Sequence, residues 1–444
     1  MNRKIITMKQ TTLRVLLLLL LFTHGYRTKA QQNEHGIIHA IFSEIRAATK
    51  NYMNLWDKNL YGAMLLINPE TRELFANEPD SAGVLKPDGS IYSGILPDNF
   101  NFGNTALEWN GKRWAMIMLP LPENKYERIT LLAHELFHKA QPSLGFILNT
   151  PENNHLDTKE GRIYLRLELE ALNNAIQSTS ENEMLHHLSN AIIFRKYRNL
   201  IFPGSDKTEN LLEIHEGIAE FTGFIISERD KEQTTAYFVN GINSFFRMPT
   251  FVRSFAYFTT PLYSYMLYSK DKNWNKNVTN TTDLTDYFIK TFNIRIPTNL
   301  DISVVNSSDY YNGKAIIHEE TAKEEENKKR IAEYKHRFTV LPHLALQLEE
   351  RRISFDPRNI LPIEDIGTVY PNIRVTDIWG VLTVENGALM SPFWDKITIS
   401  APKKIEGKNV MGDGWTLELT DKYIIEKEET SGNYKLTKVN NFTR

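Results

Sequence analysis

The chain has 444 residues, 41% hydrophobic and 24% charged, with a formal net charge of −2, a globular composition long enough for two or three domains. Near balance between Lys+Arg and Asp+Glu excludes a basic footprint for nucleic acid. Cysteine is absent, which excludes a disulfide framework and the acylated cysteine of a bacterial lipoprotein and leaves stability to core packing.

Residues 1–30 read as an export signal: a basic start (Arg3, Lys4, Lys9, Arg14), an apolar run from Val15 to Phe22, then a polar stretch ending Thr28-Lys29-Ala30. The alternative is an uncleaved anchor. A membrane span needs about 20 apolar residues and no later segment supplies one. The expected location is secreted or periplasmic, with no stable membrane span. Residues 35 to 57 place Ile38, Ile41, Phe42, Ile45 and Tyr52 at helical spacing. The period then changes to two. One strand pair is expected about Asn68-Pro69-Glu70 and a second hairpin on Asn110-Gly111, whose last strand runs into the next helix. Further helices are expected at 158–177, 183–198, 208–228, 232–246, 251–268 and 282–292. Arg162, Arg166, Glu168 and Glu170 are spaced for ion pairs within this body, and His155 and Asp157 are placed to cap its first helix. The charged stretch 311–354 reads as a solvated helical connector, and 355–444 as a β domain of short strands separated by turns such as Asn386-Gly387 and Gly412-Asp413-Gly414. The expected fold class is therefore α+β, with a principal domain over 31–310 made of N-terminal strands and a mainly helical body.

The chemistry concentrates in His134-Glu135-Leu136-Phe137-His138. On a helix the two histidines share a face one turn apart, so both imidazoles can point at one metal ion. Glu135 lies where it can reach a water held there and act as general base. Leu132, Ala133, Leu136, Phe137 and Ala140 supply the apolar face, and Pro142 ends the helix. With twelve histidines in the chain the pentapeptide alone is only suggestive, and a third ligand is needed. The metzincin continuation is closed, because Gln141 stands where its glycine belongs and Leu144 where its third histidine belongs.

Glu216-Gly217-Ile218-Ala219-Glu220-Phe221 resembles the E-G-x-A pattern of gluzincins, the zincin-fold (peptidase MA-like) zinc metallopeptidases, here of a secreted bacterial kind. The resemblance covers about residues 110 to 275 and implies Glu216 as third ligand, Zn²⁺ as cofactor and a peptide or protein substrate. Gly217 and Ala219 would let the two metal helices approach closely, and Glu220 would accept the second hydrogen of a ligating imidazole and orient it. Glu213 is the rival ligand, and His215 reads as structural. Tyr257 resembles the oxyanion tyrosine of aminopeptidase N-like gluzincins, though Thr260 replaces a glycine of that pattern; Tyr263 and Arg253 are lesser candidates. An aminopeptidase assignment is not supported, since Leu65-Leu66 follow Gly62-Ala63-Met64 where Glu-Asn would be needed. The leading expectation is an exported zinc metallopeptidase. The alternatives are a catalytically silent binding module of the same shell and a zinc hydrolase of non-peptide amides or esters, with the C-terminal β domain contacting substrate or a surface partner.

Overall fold

The computed structural model describes residues 35–97, 100, 102–147, 151–355, 360–363 and 365–439; the expected export signal lies outside them. The architecture is α+β, as the sequence leads one to expect. Helix α1 (35–51) is followed by a sheet of six strands: β1 (Met64–Ile67), β2 (Glu73–Ala76), β3 (Lys86–Asp88), β4 (Ile91–Ile95), β5 (Thr105–Trp109) and β6 (Lys112–Met118), in the order β3-β4-β2-β1-β6-β5. The β1–β6 pair is parallel, while β1–β2 and β5–β6 are antiparallel hairpins. Alternation sorts β1: Met64 and Leu66 face the main core, and Leu65 and Ile67 join Trp109, Trp114 and Met116 in a smaller core on the opposite face. Both expected hairpins are present. Strands β3 and β4 were not legible, because β3 holds Pro87 at an edge and shows no apolar alternation.

Helix α2 (Lys125–Ala140) lies on the main-core face of this sheet, burying Ile129, Leu132, Ala133, Leu136 and Phe137 against α1 and the strands. The body continues as α3 (Lys159–Gln177), α4 (Glu181–Ile201), α5 (Ser205–Leu212), a π turn (Glu213–Gly217), α6 (Ile218–Ile226), α7 (Lys231–Phe245), α8 (Ala256–Lys270), α9 (Leu284–Phe292) and α10 (Leu300–Ser308). The single helix expected over 208–228 is thus three pieces, and α10 was not anticipated. The α3 cap is Thr158, whose hydroxyl accepts from Gly161 N; Asp157 instead accepts from Phe251 N at 2.8 Å and from the Thr250 hydroxyl. Among the described residues no helix is long and apolar enough to cross a membrane.

Helix α11 (Gly313–Thr339) is not only a solvated connector. Glu320 is buried and receives Arg162 Nε at 2.6 Å and Arg166 Nη1 at 2.7 Å, so these arginines pair across to α11 rather than with Glu168 or Glu170 of their own helix. Its far end plants Phe338 against Ile363, Val369 and Leu389. The β domain begins earlier than the expected residue 355, with β7 (His343–Gln347) and β8 (Arg352–Phe355), and continues through β9 (Leu361–Ile363), β10 (Gly367–Tyr370), β11 (Ile373–Asp377), β12 (Gly380–Val384), β13 (Ala388–Met390), β14 (Lys396–Ser400), β15 (Lys404–Glu406), β16 (Asn409–Gly412), β17 (Trp415–Leu419), β18 (Tyr423–Lys427) and β19 (Tyr434–Lys438). Its two sheets are ordered β18-β19-β7-β14-β13-β10-β9 and β15-β16-β17-β12-β11-β8. Leu344, Leu346, Ile397 and Ile399 from one sheet meet Val375, Leu382, Trp415 and Leu417 from the other, a face-to-face sandwich. Alternating strands carried this part of the fold, whereas the run of charge before it hid where the strands begin.

The approach of α6 to α2 depends on Gly223 rather than on Gly217. A Cβ at Gly223 would meet the Thr130 carbonyl oxygen at 2.4 Å, while one at Gly217 would meet Thr260 of α8 at 2.3 Å. Gly223→Ala should therefore destabilise the fold by about 1–3 kcal/mol through overpacking against rigid backbone. Gly36→Ala, which meets nothing within 4 Å, should leave denaturant midpoints unchanged or slightly raised.

Candidate metal centre

Helix α2 starts cleanly because Asn124 caps it, its side-chain oxygen accepting from Tyr126 N and Glu127 N. Burial of one apolar face then fixes its rotation and turns His134, Glu135 and His138 inward toward α6 and α8. All three are buried. His138 Nε2 lies 2.9 Å from His134 Nε2 and 3.1 Å from Glu216 Oε2, and His134 Nε2 lies 3.5 Å from the same oxygen. Bonds of ~2.0–2.1 Å at tetrahedral angles put ligand atoms about 3.3 Å apart, so the three atoms already stand at the separations such a centre requires. Among the described residues they form the one group of three acidic or imidazole side chains so placed.

The outer nitrogens determine which way the lone pairs face. His134 Nδ1 is 2.8 Å from Glu220 Oε2, and a carboxylate can only accept, so Nδ1 carries hydrogen. His138 Nδ1 is 2.7 Å from Gln141 Oε1. The Gln141 amide nitrogen donates to the His215 carbonyl at 2.8 Å, which fixes the amide with its oxygen toward His138. When neutral, both imidazoles therefore present bare Nε2 lone pairs to one another and to Glu216. Such a triangle repels itself unless a proton or a metal cation occupies it.

The electrostatics describe the same deficit of positive charge. Burial works to lower the His134 pKa, but Glu216 and Glu220, aided by Glu135, push it up to about 10. Burial works to raise Glu216, yet the two imidazoles, which donate to it from Nε2 and attract it when protonated, hold it far below the usual carboxylate range. Glu135 is raised, mainly by burial and against the pull of both histidines; its Oε2 is buried with no hydrogen-bond partner. This carboxylate shares a cavity of about 340 Å³ with Asn104, Leu131, His134, Tyr237 and Tyr257.

Tyr257 comes from the first turn of α8. Its ring stacks on His134, with centroids 5.5 Å apart and planes 7° apart, and its hydroxyl donates to Glu216 Oε2 at 2.5 Å. Burial and the Glu216 charge raise its pKa, so it stays protonated. Tyr263 does not reach this place: it is fully buried on another side of α8, its hydroxyl 3.2 Å from Glu168, and it drops out as an oxyanion candidate. Glu213, the rival ligand, turns away to Arg195. His215 packs edge-on against His138, with centroids 5.0 Å apart, and supplies the carbonyl that orients Gln141. Arg253 is exposed beyond it, and burial, foremost, holds the His215 pKa low.

Two orienting residues were missed. In the sequence Gln141 marks only the break from the metzincin pattern, although its position three residues after His138 puts it on the same helical face. Tyr237 donates to Glu220 Oε1 at 2.6 Å, from a helix whose sequence carries no signal for it. Comparison with known proteins finds no matching family model, no matching curated protein and no matching solved structure.

The His134 shift has a sign that can be checked. Its folded value, about 10, lies above the ordinary imidazole value of 6.5, so in metal-free protein its stabilisation is complete below pH 6.5 and disappears as pH rises through about 10. His134→Gln should flatten that alkaline decline in a denaturation series. Zinc entering wild-type protein at pH 7 should expel a proton from His134, seen as a binding enthalpy that changes with the ionisation enthalpy of the buffer.

Proposed function

We propose that the protein is an exported zinc-dependent metallohydrolase of the gluzincin kind, a peptidase that cleaves peptide bonds with water. The observation that carries this reading is the triangle of His134 Nε2, His138 Nε2 and Glu216 Oε2 with an unpartnered, buried Glu135 carboxylate beside it. These three side chains would hold Zn²⁺, a two-imidazole, one-carboxylate set that leaves a coordination position open. When bound, zinc supplies Lewis acidity, polarising the scissile carbonyl and making water more acidic.

The chain's own residues account for the remaining steps. Glu135, its pKa raised chiefly by burial, takes a proton from the attacking water and delivers it to the departing amine. Tyr257 holds a protonated hydroxyl at the cavity wall; on turning from Glu216 it would donate to the negative charge that develops on the carbonyl oxygen. Glu220 and Gln141 keep both imidazoles in the donor-outward tautomer. Strand β5 is an outer strand of its sheet, and Asn104, just before it, lines the cavity. That edge suits an extended peptide adding as a further strand, which favours a peptide over a compact ester.

Glu135→Gln should lower kcat by roughly 10²–10⁴-fold while zinc stoichiometry stays at the wild-type value. The checks are metal analysis and turnover on a peptide library with chromophoric ester controls. Wild-type protein that holds zinc yet turns over no peptide would favour a silent binding module, and turnover of esters alone a non-peptide hydrolase. Glu127, one α2 turn before Leu131, is exposed and lines the same cavity, where the described lining residues include no lysine or arginine. Peptides with a basic residue flanking the scissile bond should be preferred, and Glu127→Gln should reduce that preference by roughly two- to fivefold in kcat/KM, the scale of one solvent-exposed ion pair.

A further inference from the structure

The third ligand sits in unusual backbone. Glu216 is the fourth residue of the π turn Glu213–Gly217, closed by Ile218 N–H donating to the Glu213 carbonyl, an i to i+5 bond. In an unbroken α-helix residues three apart share a face, so Glu213 and Glu216 would project together. The wider turn spends more residues per revolution and each rotates the chain less. The two carboxylates diverge: Glu216 goes to the imidazoles, and Glu213 goes into the helical core.

A π turn is rare and is held by its surroundings. Here Glu213 is buried, and its two oxygens take a bidentate pair from Arg195 of α4, at 2.9 Å to Oε2 and 2.8 Å to Oε1. Thr259 of α8 donates to Oε1 at 2.9 Å. Two residues earlier on the same helix, Tyr257 donates to Glu216. Helix α8 thus holds both carboxylates of the turn, and Arg195 is itself anchored on Glu168 of α3 at 2.7 Å. Arg198 joins the same buried cluster, bridging Glu168 at 2.7 Å and Glu209 at 2.6 Å.

We infer that Arg195 and Glu213 are a positioning pair that sets the register of the π turn and so delivers the Glu216 carboxylate to the metal. The inference rests on the metal-centre reading proposed above and names no new ligand. It distinguishes a register device from a mere structural bolt. The buried cluster sets two guanidiniums, Arg195 and Arg198, against three carboxylates, Glu168, Glu209 and Glu213, with His155 on Glu209 at 2.7 Å. Removing the Glu213 charge leaves arginines and carboxylates matched, so the fold should tolerate it better than removal of either arginine.

The test uses the full chain, Glu213→Met and Glu213→Gln, with zinc affinity from competition against a chromophoric chelator and thermal midpoints of metal-free protein. Glu213→Met should weaken zinc binding by roughly 10–100-fold, the range found when an orienting partner of a ligand is lost. Glu213→Gln, which keeps an oxygen for Arg195 or Thr259, should recover most of that loss. If Glu213→Met does not fold, Glu213→Gln carries the test through a smaller, measurable weakening. Folded variants that bind zinc as wild type does, with only their thermal midpoints lowered, would overturn the inference and leave the metal centre standing. Wild-type protein that binds no zinc in the same assay would overturn the metal centre itself, and this inference with it.

Discussion

Electron-rich atoms that face each other across 2.9 to 3.5 Å inside a protein must be reconciled by something positive. Here the reconciliation is demanded by parts that cannot rearrange. Glu220 and the Gln141 amide oxygen accept from the outer nitrogens of the two histidines, so in the neutral rings it is the inner nitrogens that carry the lone pairs. Glu135, Glu216 and Glu220 add carboxylates around the same point, and the raised His134 and depressed Glu216 show how strongly that point favours a cation. A proton can satisfy it partly. A divalent metal satisfies all three atoms at once.

That local demand is sustained by rigid packing on every side. Helix α2 is fixed by its apolar face against the N-terminal sheet, and α6 lies close on it because Gly223 leaves room for the Thr130 carbonyl. Helix α8 brings Tyr257 onto Glu216 and Thr259 onto Glu213. Behind them the Arg195 and Arg198 cluster joins α3, α4 and the π turn through hydrogen-bonded ion pairs out of reach of water. A buried cluster of this kind is weak evidence for added stability and is better understood as a constraint on geometry. The functional proposal thus depends on elements from 104 to 259 acting as one unit.

Where the sequence carried a local signal, that signal was sufficient. Asn110 and Gly111 both adopt positive φ, the conformation a two-residue hairpin turn needs, and the hairpin was readable from those two residues. Helical spacing singled out His134 and His138, the resemblance of the E-G-x-A segment to gluzincins singled out Glu216 and Glu220, and the structure brings all four side chains to one place. The losses have physical causes. Helical periodicity over 208–228 gives no sign of a π turn, so spacing alone leaves Glu213 as a rival to Glu216. Tyr257 and Tyr263 lie on the same aromatic helix, and only its packing decides which faces the histidines. Glu320 was concealed in a run of charge, although it is the buried partner of Arg162 and Arg166. Edge strand β3 has too little apolar alternation to be seen at all.

The most direct measurement of the central claim is a crystal structure of zinc-loaded protein with data on both sides of the zinc absorption edge. The account predicts one strong anomalous peak bonded to His134 Nε2, His138 Nε2 and Glu216 Oε2, with Glu135 near it but not ligating. A map with no peak there, or with zinc only at surface histidines while the three side chains keep their metal-free contacts, would contradict it.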